Sequence, residues 1–395
     1  MEIKERLFNR NFIIMSIASL FMFVAFYLLM PIIAMYVVDH FKADASIAGI
    51  VAASYIITAL LTRPFSGYMV DKFDRRKLYL FVFTLFAIFF IGYVISSSII
   101  ELIITRVLLG ATFAMVTTAS NTLAIDVIPS SRRAEGIGYY GAIIVLAMAI
   151  GPMLGLYMIE YFSYKELFIF ATVCAWVGVG IATFVRTKPR EPKEHEPLSL
   201  DRFILREGLS VATIIALLYF LYGTLMVYVS LYVRSCGINT NPANFFMFFA
   251  LGIIIARVSA AKFLRKGLHS EILQAGTIII IAAGLLFVSY LTSITFPIVS
   301  MCLGLGFGLV APSIQAMMID LVPASRRGTA NSTYFIALDL GSGIGMLIGG
   351  TIAHIWSYKA IYIIGISIAF FAFLLYYFVA KREYAKQLAI ANKGI

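Results

Sequence analysis

Charge is scarce in this chain. Only 13 % of its 395 residues are Asp, Glu, Lys or Arg, against about 25 % in soluble domains. That excludes a soluble enzyme and a charge-driven disordered chain. Cysteine is scarcer still. Cys174, Cys236 and Cys302 stand singly in apolar runs with no C-x-x-C spacing, which excludes a secreted disulfide scaffold. The four histidines (His40, His195, His269 and His354) are isolated and lie near the ends of apolar runs. No His/Cys/carboxylate cluster, glycine-rich nucleotide loop or soluble catalytic stretch is present, which argues against a membrane enzyme or sensor. No metal or cofactor is therefore expected.

What the chain does have is apolar length. Hydrophobic residues make up 61 %, mean hydropathy is +0.94, and there are 33 Phe and 22 Tyr. A bilayer core of about 30 Å needs roughly 20 apolar residues per helix. Runs of that kind fall near 11–38, 45–70, 78–99, 102–127, 134–158, 166–186, 208–234, 244–264, 271–292, 296–320, 330–354 and 360–380. The first is too long for a signal-peptide core, so no cleavage is expected. An even number of spans puts both termini on one side. With that side cytoplasmic, 24 of the 31 Lys and Arg lie in cytoplasmic segments and four lie opposite. Arg63, Arg106 and Arg257 fall within spans or at their ends, and Arg63 and Arg257 are expected to snorkel to the cytoplasmic surface. This bias is a positive-inside signal, so the net charge of +11 is topology and no nucleic-acid partner is expected. The expected location is a cell (inner) membrane, multi-pass, with both termini cytoplasmic.

Residues 187–207 carry ten charges and three prolines. They form a cytoplasmic linker between a six-helix half at 1–186 and another at 208–380, with a cytoplasmic tail at 381–395. The linker is a solvated tether or a regulatory segment whose end could lie on the membrane as an amphipathic helix. A shift of 194 residues superimposes the halves without a gap. It lays Ile125-Asp126, Pro129 and Ser131-Arg132-Arg133 on Ile319-Asp320, Pro323 and Ser325-Arg326-Arg327. It also lays Ser163-Tyr164-Lys165 on Ser357-Tyr358-Lys359, Gly110 on Gly304, Arg63 on Arg257, and Gly151 and Gly155 on Gly345 and Gly349. Six spans per repeat return the chain to its starting side. The expected fold is thus all-α: twelve transmembrane helices in two parallel six-helix repeats, with substrate bound near the midplane and alternating access by rocking of the halves.

After the second span stands Gly67-Tyr68-Met69-Val70-Asp71-Lys72-Phe73-Asp74-Arg75-Arg76-Lys77. It resembles the cytoplasmic signature G-x-L-a-D-r-x-G-r-r of the major facilitator superfamily, with Met69 for the Leu and Asp74 for the second Gly. The resemblance implies a cytoplasmic latch. The Asp meets the N-terminus of helix 11, where a carboxylate gains about 0.3–1 kcal/mol, and the Arg reaches an acidic residue at the end of helix 4, here Asp126. Gly67, Asp71, Arg75, Arg76 and Asp126 are the gating candidates; the alternative is that the basic run only orients the chain. Arg106-Val107-Leu108-Leu109-Gly110 resembles the family's R-x-x-x-G on helix 4. Arg106 is either a structural arginine bonded to carbonyls or a cavity charge for proton coupling or an anionic group, since an arginine in lipid costs roughly 2.5–3.5 kcal/mol. Gly138, Gly151-Pro152 and Gly155 partly resemble the antiporter signature G-x8-G-x3-G-P-x2-G-G of the export branches, with Ala147 and Leu156 in place of two glycines. Gly151, Pro152 and Gly155 are expected to bend the fifth span or to form a packing seam.

Asp339 is the one acidic residue well inside a span. At about 15 Å depth it is the first choice for proton coupling, with Arg106 tuning it. A counter-ion to a cationic substrate and a structural hydrogen bond are the alternatives. Tyr27, Tyr55, Asn121, Tyr139, Tyr140, Tyr219, Tyr222, Gln315, Asn331 and Tyr334 are candidate cavity residues for an amphipathic or aromatic molecule. The chain is most similar to the 12-helix drug:proton antiporter branch. That implies a monomeric exporter whose partners are a small-molecule substrate, protons and the lipid bilayer. A proton symporter or facilitator for uptake of a small metabolite is the alternative.

Overall fold

The computed structural model describes residues 7–129, 132–186, 204–264, 266–322 and 327–393. They form thirteen α-helices: α1 (Arg10–Asp39), α2 (Ala45–Lys72), α3 (Arg75–Ile95), α4 (Ile99–Val127), α5 (Arg133–Met158), α6 (Tyr164–Ala182), α7 (Leu209–Ser235), α8 (Ala243–Leu264), α9 (His269–Ser289), α10 (Thr295–Asp320), α11 (Arg327–Ile355), α12 (Tyr358–Leu375) and α13 (Lys381–Lys393). A π-turn at Tyr376–Ala380 joins α12 to α13. Among the described residues there is no strand, and twelve helical stretches are long and apolar enough to cross a membrane. In lipid every backbone polar group needs an internal partner, which a helix supplies within the segment. Of the expected linker at 187–207, residues 187–203 lie outside the described residues, and the Leu205 N–H donates to Thr333 Oγ1 of α11 at 2.7 Å.

Helix ends depart from the hydropathy pattern where polar caps intervene. The apolar run to residue 99 breaks at Ile95, because Ser98 caps α4 and the Glu101 carboxylate accepts the Ser97 N–H at 2.7 Å. Asp74, the residue that departs from the family glycine, is the N-cap of α3 and accepts the Lys77 N–H at 2.8 Å. Such a cap is worth about 0.5–2 kcal/mol. Ser163 and Ser357, one repeat apart, cap α6 and α12. Past Tyr376 the last helix does not end at the membrane surface but runs on into the tail as α13.

The chain divides into two compact units, Met1–Tyr36 with Ser54–Pro197, and Val37–Ala53 with Leu198–Ile395. In the first unit α5 lies on α1. A Cβ at Gly151 would stand 2.8 Å from the Leu28 nitrogen, and one at Gly155 would stand 2.7 Å from the Leu28 oxygen. In the second unit α11 lies on α7. Cβ atoms at Gly341 and Gly345 would run into the carbonyl oxygens of Ala216 and Phe220. Numbers rise together on both members of each pair, so each pair runs parallel. The helix of α5 continues through Pro152. Within the second unit the 37–53 segment is held by Asp39 to Arg234 at 2.9 Å and by His354 to Asp44 at 3.6 Å.

Overpacking a seam of this kind costs about 1–3 kcal/mol. Gly151→Val and Gly345→Val are each expected to lower the melting temperature of detergent-purified protein by at least about 3 °C. A Cβ at Gly67 would meet nothing within 4 Å, so Gly67→Ala is expected to leave it unchanged. Thermal unfolding of the three variants side by side checks both statements.

Candidate functional site

The cytoplasmic candidates separate by what they touch. Arg75, at the start of α3, donates from Nη1 to both Asp126 oxygens at 2.8 and 2.7 Å, joining α3 to the end of α4. The pair is partly enclosed, 15 % and 36 % exposed. Arg76 instead donates to the carbonyls of Val185 and Thr183 at 2.6 and 3.0 Å, which ties α3 to the end of α6. The Asp71 side chain lies outside the described residues, and Gly67 borders open space. The repeat shift of 194 carries Arg75 and Asp126 onto His269 and Asp320. These two also meet, Nε2 to Oδ2 at 3.2 Å, and the Tyr384 hydroxyl of α13 donates to the same carboxylate at 3.4 Å.

Inside the first unit, Arg106 is 1 % exposed and is among the largest fully buried side chains. Its guanidinium carbon lies 4.7 Å from the centroid of the Tyr55 ring, a contact worth up to about 2 kcal/mol when desolvated. It also hydrogen-bonds Tyr93. A Cβ at Gly110 would run into the Tyr55 carbonyl, so both ends of the R-x-x-x-G stretch address one residue of α2. The enclosure matches a structural arginine, not a charge open to a cavity. Tyr55 joins an aromatic cluster with Phe26 and Phe113, whose rings stack at 3.9 Å, and Tyr27 borders it through Phe26. Tyr140 is buried, its hydroxyl bonded to Ser19 at 2.6 Å and Ser120 at 2.5 Å, beside half-buried Asn121. Tyr139 departs from the expected grouping. The next residue along a helix points elsewhere, and Tyr139 is exposed against Phe8 with ring centroids 5.3 Å apart.

The second unit gathers the other candidates. Tyr219 and Tyr222 pack at 4.8 Å, and Phe307 meets them edge-on at 5.8 and 5.4 Å. Gln315 of α10 donates to Asn331 of α11 at 3.0 Å. Asp339 is half-buried at about 18 Å along the 29-residue α11. It shares a helical stripe with Ser332, Phe335, Ser342 and Met346, not the exposed Leu340–Ile344–Leu347 face. A Cβ at Gly223 would run into the Ser342 carbonyl, and one turn back on the two parallel helices stand Tyr219 and Asp339. The charges of Asp339 and Arg257 both reach the Tyr219 and Tyr334 hydroxyls. Arg257, expected to snorkel, is an exposed residue of α8.

A half-buried carboxylate in mid-span beside tyrosines can take up and release a proton or pair with a cation. Among the described residues no group of three or more His, Cys, Asp or Glu could hold a metal. Twelve spans, two parallel repeats and ionisable groups on interior helix faces define a polytopic membrane transporter. The chain belongs to the Major Facilitator Superfamily, whose family profile matches residues 15–308 and 273–393. Members of this family and fold are transporters, not enzymes. Over 376 residues the chain is 23 % identical to the quinolone resistance protein NorA of Staphylococcus aureus (strain MRSA252), covering 91 % of this chain and 95 % of NorA. Two solved structures share the fold. One is a bacterial homologue of the human lysosomal transporter Spinster in an inward-facing, unoccupied conformation, with a TM-score of 0.76, 14 % identity and coverage of 95 % and 97 %. The other is the human organic anion transporter MFSD10, with a TM-score of 0.70, 16 % identity and coverage of 93 % and 98 %.

The Arg75–Asp126 pair is open to a direct check. In a double-mutant cycle on thermal stability, Arg75→Ala and Asp126→Ala together are expected to cost no more than the worse single change. Additive losses would show that the two groups do not act as a pair.

Proposed function

We propose that this chain is a proton-coupled secondary transporter that exports a small amphipathic molecule by alternating access. The observation that carries the reading is Asp339, a carboxylate near the middle of α11 on a face turned away from the exposed Leu340–Ile344–Leu347 stripe. A carboxylate there binds a proton arriving from one side and gives it up when substrate takes its place. The aromatic wall of Tyr219, Tyr222 and Phe307 supplies apolar area for an amphipathic guest. The 24-to-4 distribution of basic residues supports an inner-membrane protein with both termini cytoplasmic. Likeness to NorA, whose name is that of a drug-resistance protein, supports export. Arg106, enclosed over Tyr55, holds α4 to α2 and is left out of the coupling step. Arg75 and Asp126 act as a cytoplasmic latch. The working unit is one chain, with the proton gradient in place of any cofactor.

Everted membrane vesicles loaded with a pH-sensitive dye test this reading, challenged with lipophilic cations, antibiotics and sugars. At least one amphipathic compound is expected to dissipate the proton gradient with the wild-type protein and not with Asp339→Asn. Gradient loss that persists in Asp339→Asn removes Asp339 from coupling. No response to any compound, together with accumulation of a metabolite by whole cells, replaces export with uptake.

A further inference from the structure

We propose that the second unit binds one anionic phospholipid of the cytoplasmic leaflet, its phosphate at Lys266 and one acyl chain in a cleft between α8 and α9. With the transport reading it shares only the cytoplasmic placement of the basic loops.

The cleft follows from how three helices pack. The approach of Gly252 to Met301 and of Gly308 to Ala256 brings α8 onto α10, and that of Gly276 to Gly306 brings α9 onto the same helix. Both ride on α10 and touch one another little. Between them a cavity of about 200 Å³ is lined by Ser259, Ala260, Phe263, Ile272, Ala275 and Leu309. Its one hydroxyl is already spent, because Ser259 donates to the Ile255 carbonyl at 2.8 Å. The lining offers a guest apolar contact alone.

The surroundings say what fills it. Ser259, Phe263 and Ala275 are exposed, and they continue the exposed stripes of Ile254, Ile255 and Val258 on α8 and of Ile278 and Leu285 on α9. The cleft thus opens toward hydrocarbon. Ser259 stands five residues from the end of α8 and Ala275 six from the start of α9, about 8–9 Å along each helix. A headgroup layer is roughly 5–8 Å thick, so the cleft begins where acyl chains do.

The turn between the helices supplies the polar end. Lys266 and Leu268 both donate a backbone N–H to the Phe263 carbonyl, at 3.0 and 3.3 Å. That ties the exposed Lys266 to a residue of the cleft wall. From Ala243 to Ser270 the sequence holds Arg257, Lys262, Arg265 and Lys266 and no carboxylate. The first repeat differs, since Arg265 and Leu268 are the mates of Asp71 and Asp74. Where the first turn carries both signs, the second is purely cationic and complements a phosphate. A lysine stem can lie along apolar surface with its ammonium in the headgroup layer. A cation above an apolar slot, one headgroup apart, fits a phospholipid. A soluble phosphate lacks the chain, and a lipophilic cation is repelled by the turn.

The test offers detergent-purified protein equal amounts of phosphatidylglycerol and phosphatidylcholine with the same chains, and reads the bound lipid by native mass spectrometry. Wild type is expected to favour phosphatidylglycerol by at least about fivefold, the worth of one cation at an anionic surface. Lys266→Glu is expected to cut that preference about fivefold. Lys386→Gln, which removes an exposed cation of α13, is expected to leave it. Ala275→Phe fills the cleft and is expected to remove one tightly held lipid, with the melting temperature in lipid-free detergent unchanged. No preference in wild type, or an equal loss in Lys386→Gln, means diffuse attraction and overturns the site. A full lipid complement in Ala275→Phe also overturns it. Glycerol phosphate that raises the melting temperature as much as phosphatidylglycerol does, or a lipophilic cation that displaces the lipid, gives the site another occupant and overturns the assignment. None of these readouts involves proton movement, so failure of the transport reading leaves them intact.

Discussion

Two backbones can touch only where one of them carries no side chain, and the helix pairs that bear the polar residues of this transporter are built on that contact. Hydrocarbon gives helices no hydrophobic reason to associate, so close packing of small residues has to hold them. Gly151 and Gly155 bring α5 onto α1, and Gly341 and Gly345 bring α11 onto α7. Everything polar in the interior inherits its position from these seams. Gly223 against Ser342 fixes the height at which Tyr219 faces Asp339. Gly110 against the Tyr55 carbonyl fixes the height at which Arg106 covers the Tyr55 ring. A glycine in these places contributes nothing chemical itself. It sets the separation of two groups that do.

On this shared frame the two units carry different chemistry. Tyr140 and Tyr334 are repeat mates, 194 residues apart, and both are buried. Tyr140 sits in a neutral network with Ser19 and Ser120, whereas Tyr334 lies within reach of Arg257 and Asp339. Arg106 has Ser300 as its mate, and Asp339 has Val145. The first unit encloses Arg106 against the Tyr55 ring, while in the second Asp339 is half-buried and Arg257 exposed.

The sequence makes the architecture legible because a membrane reduces folding to a length requirement and a charge rule. Twelve apolar runs and a constant offset of 194 are enough for helix number and repeat. Helix ends are less legible: serines at 96–98 cut an apolar run that hydropathy alone carries to residue 99. The site is legible only where a residue is chemically out of place, as Asp339 is in its span. Arg257 shows the limit. It lies seven residues from the end of α8, near enough for its chain to reach the surface. Which way it points depends on which stripe of α8 is buried, and that is settled by packing against neighbours. The same holds for Tyr139 and Tyr140, adjacent in sequence and separated by about 100° around the helix.

The cytoplasmic ends show how a repeat can keep a geometry and change its permanence. Arg75 meets Asp126 and His269 meets Asp320 at equivalent places. A guanidinium stays charged at any physiological pH, so the first pair does not depend on protonation of its cation. The imidazole is charged only when protonated, and its Nδ1 is buried with no hydrogen-bond partner among the described residues. The second carboxylate compensates by recruiting a neighbour, the Tyr384 hydroxyl of α13. That contact requires the last helix to continue past the membrane boundary, which the π-turn at Tyr376–Ala380 allows. The tail helix is therefore joined to the second unit at the end of α10.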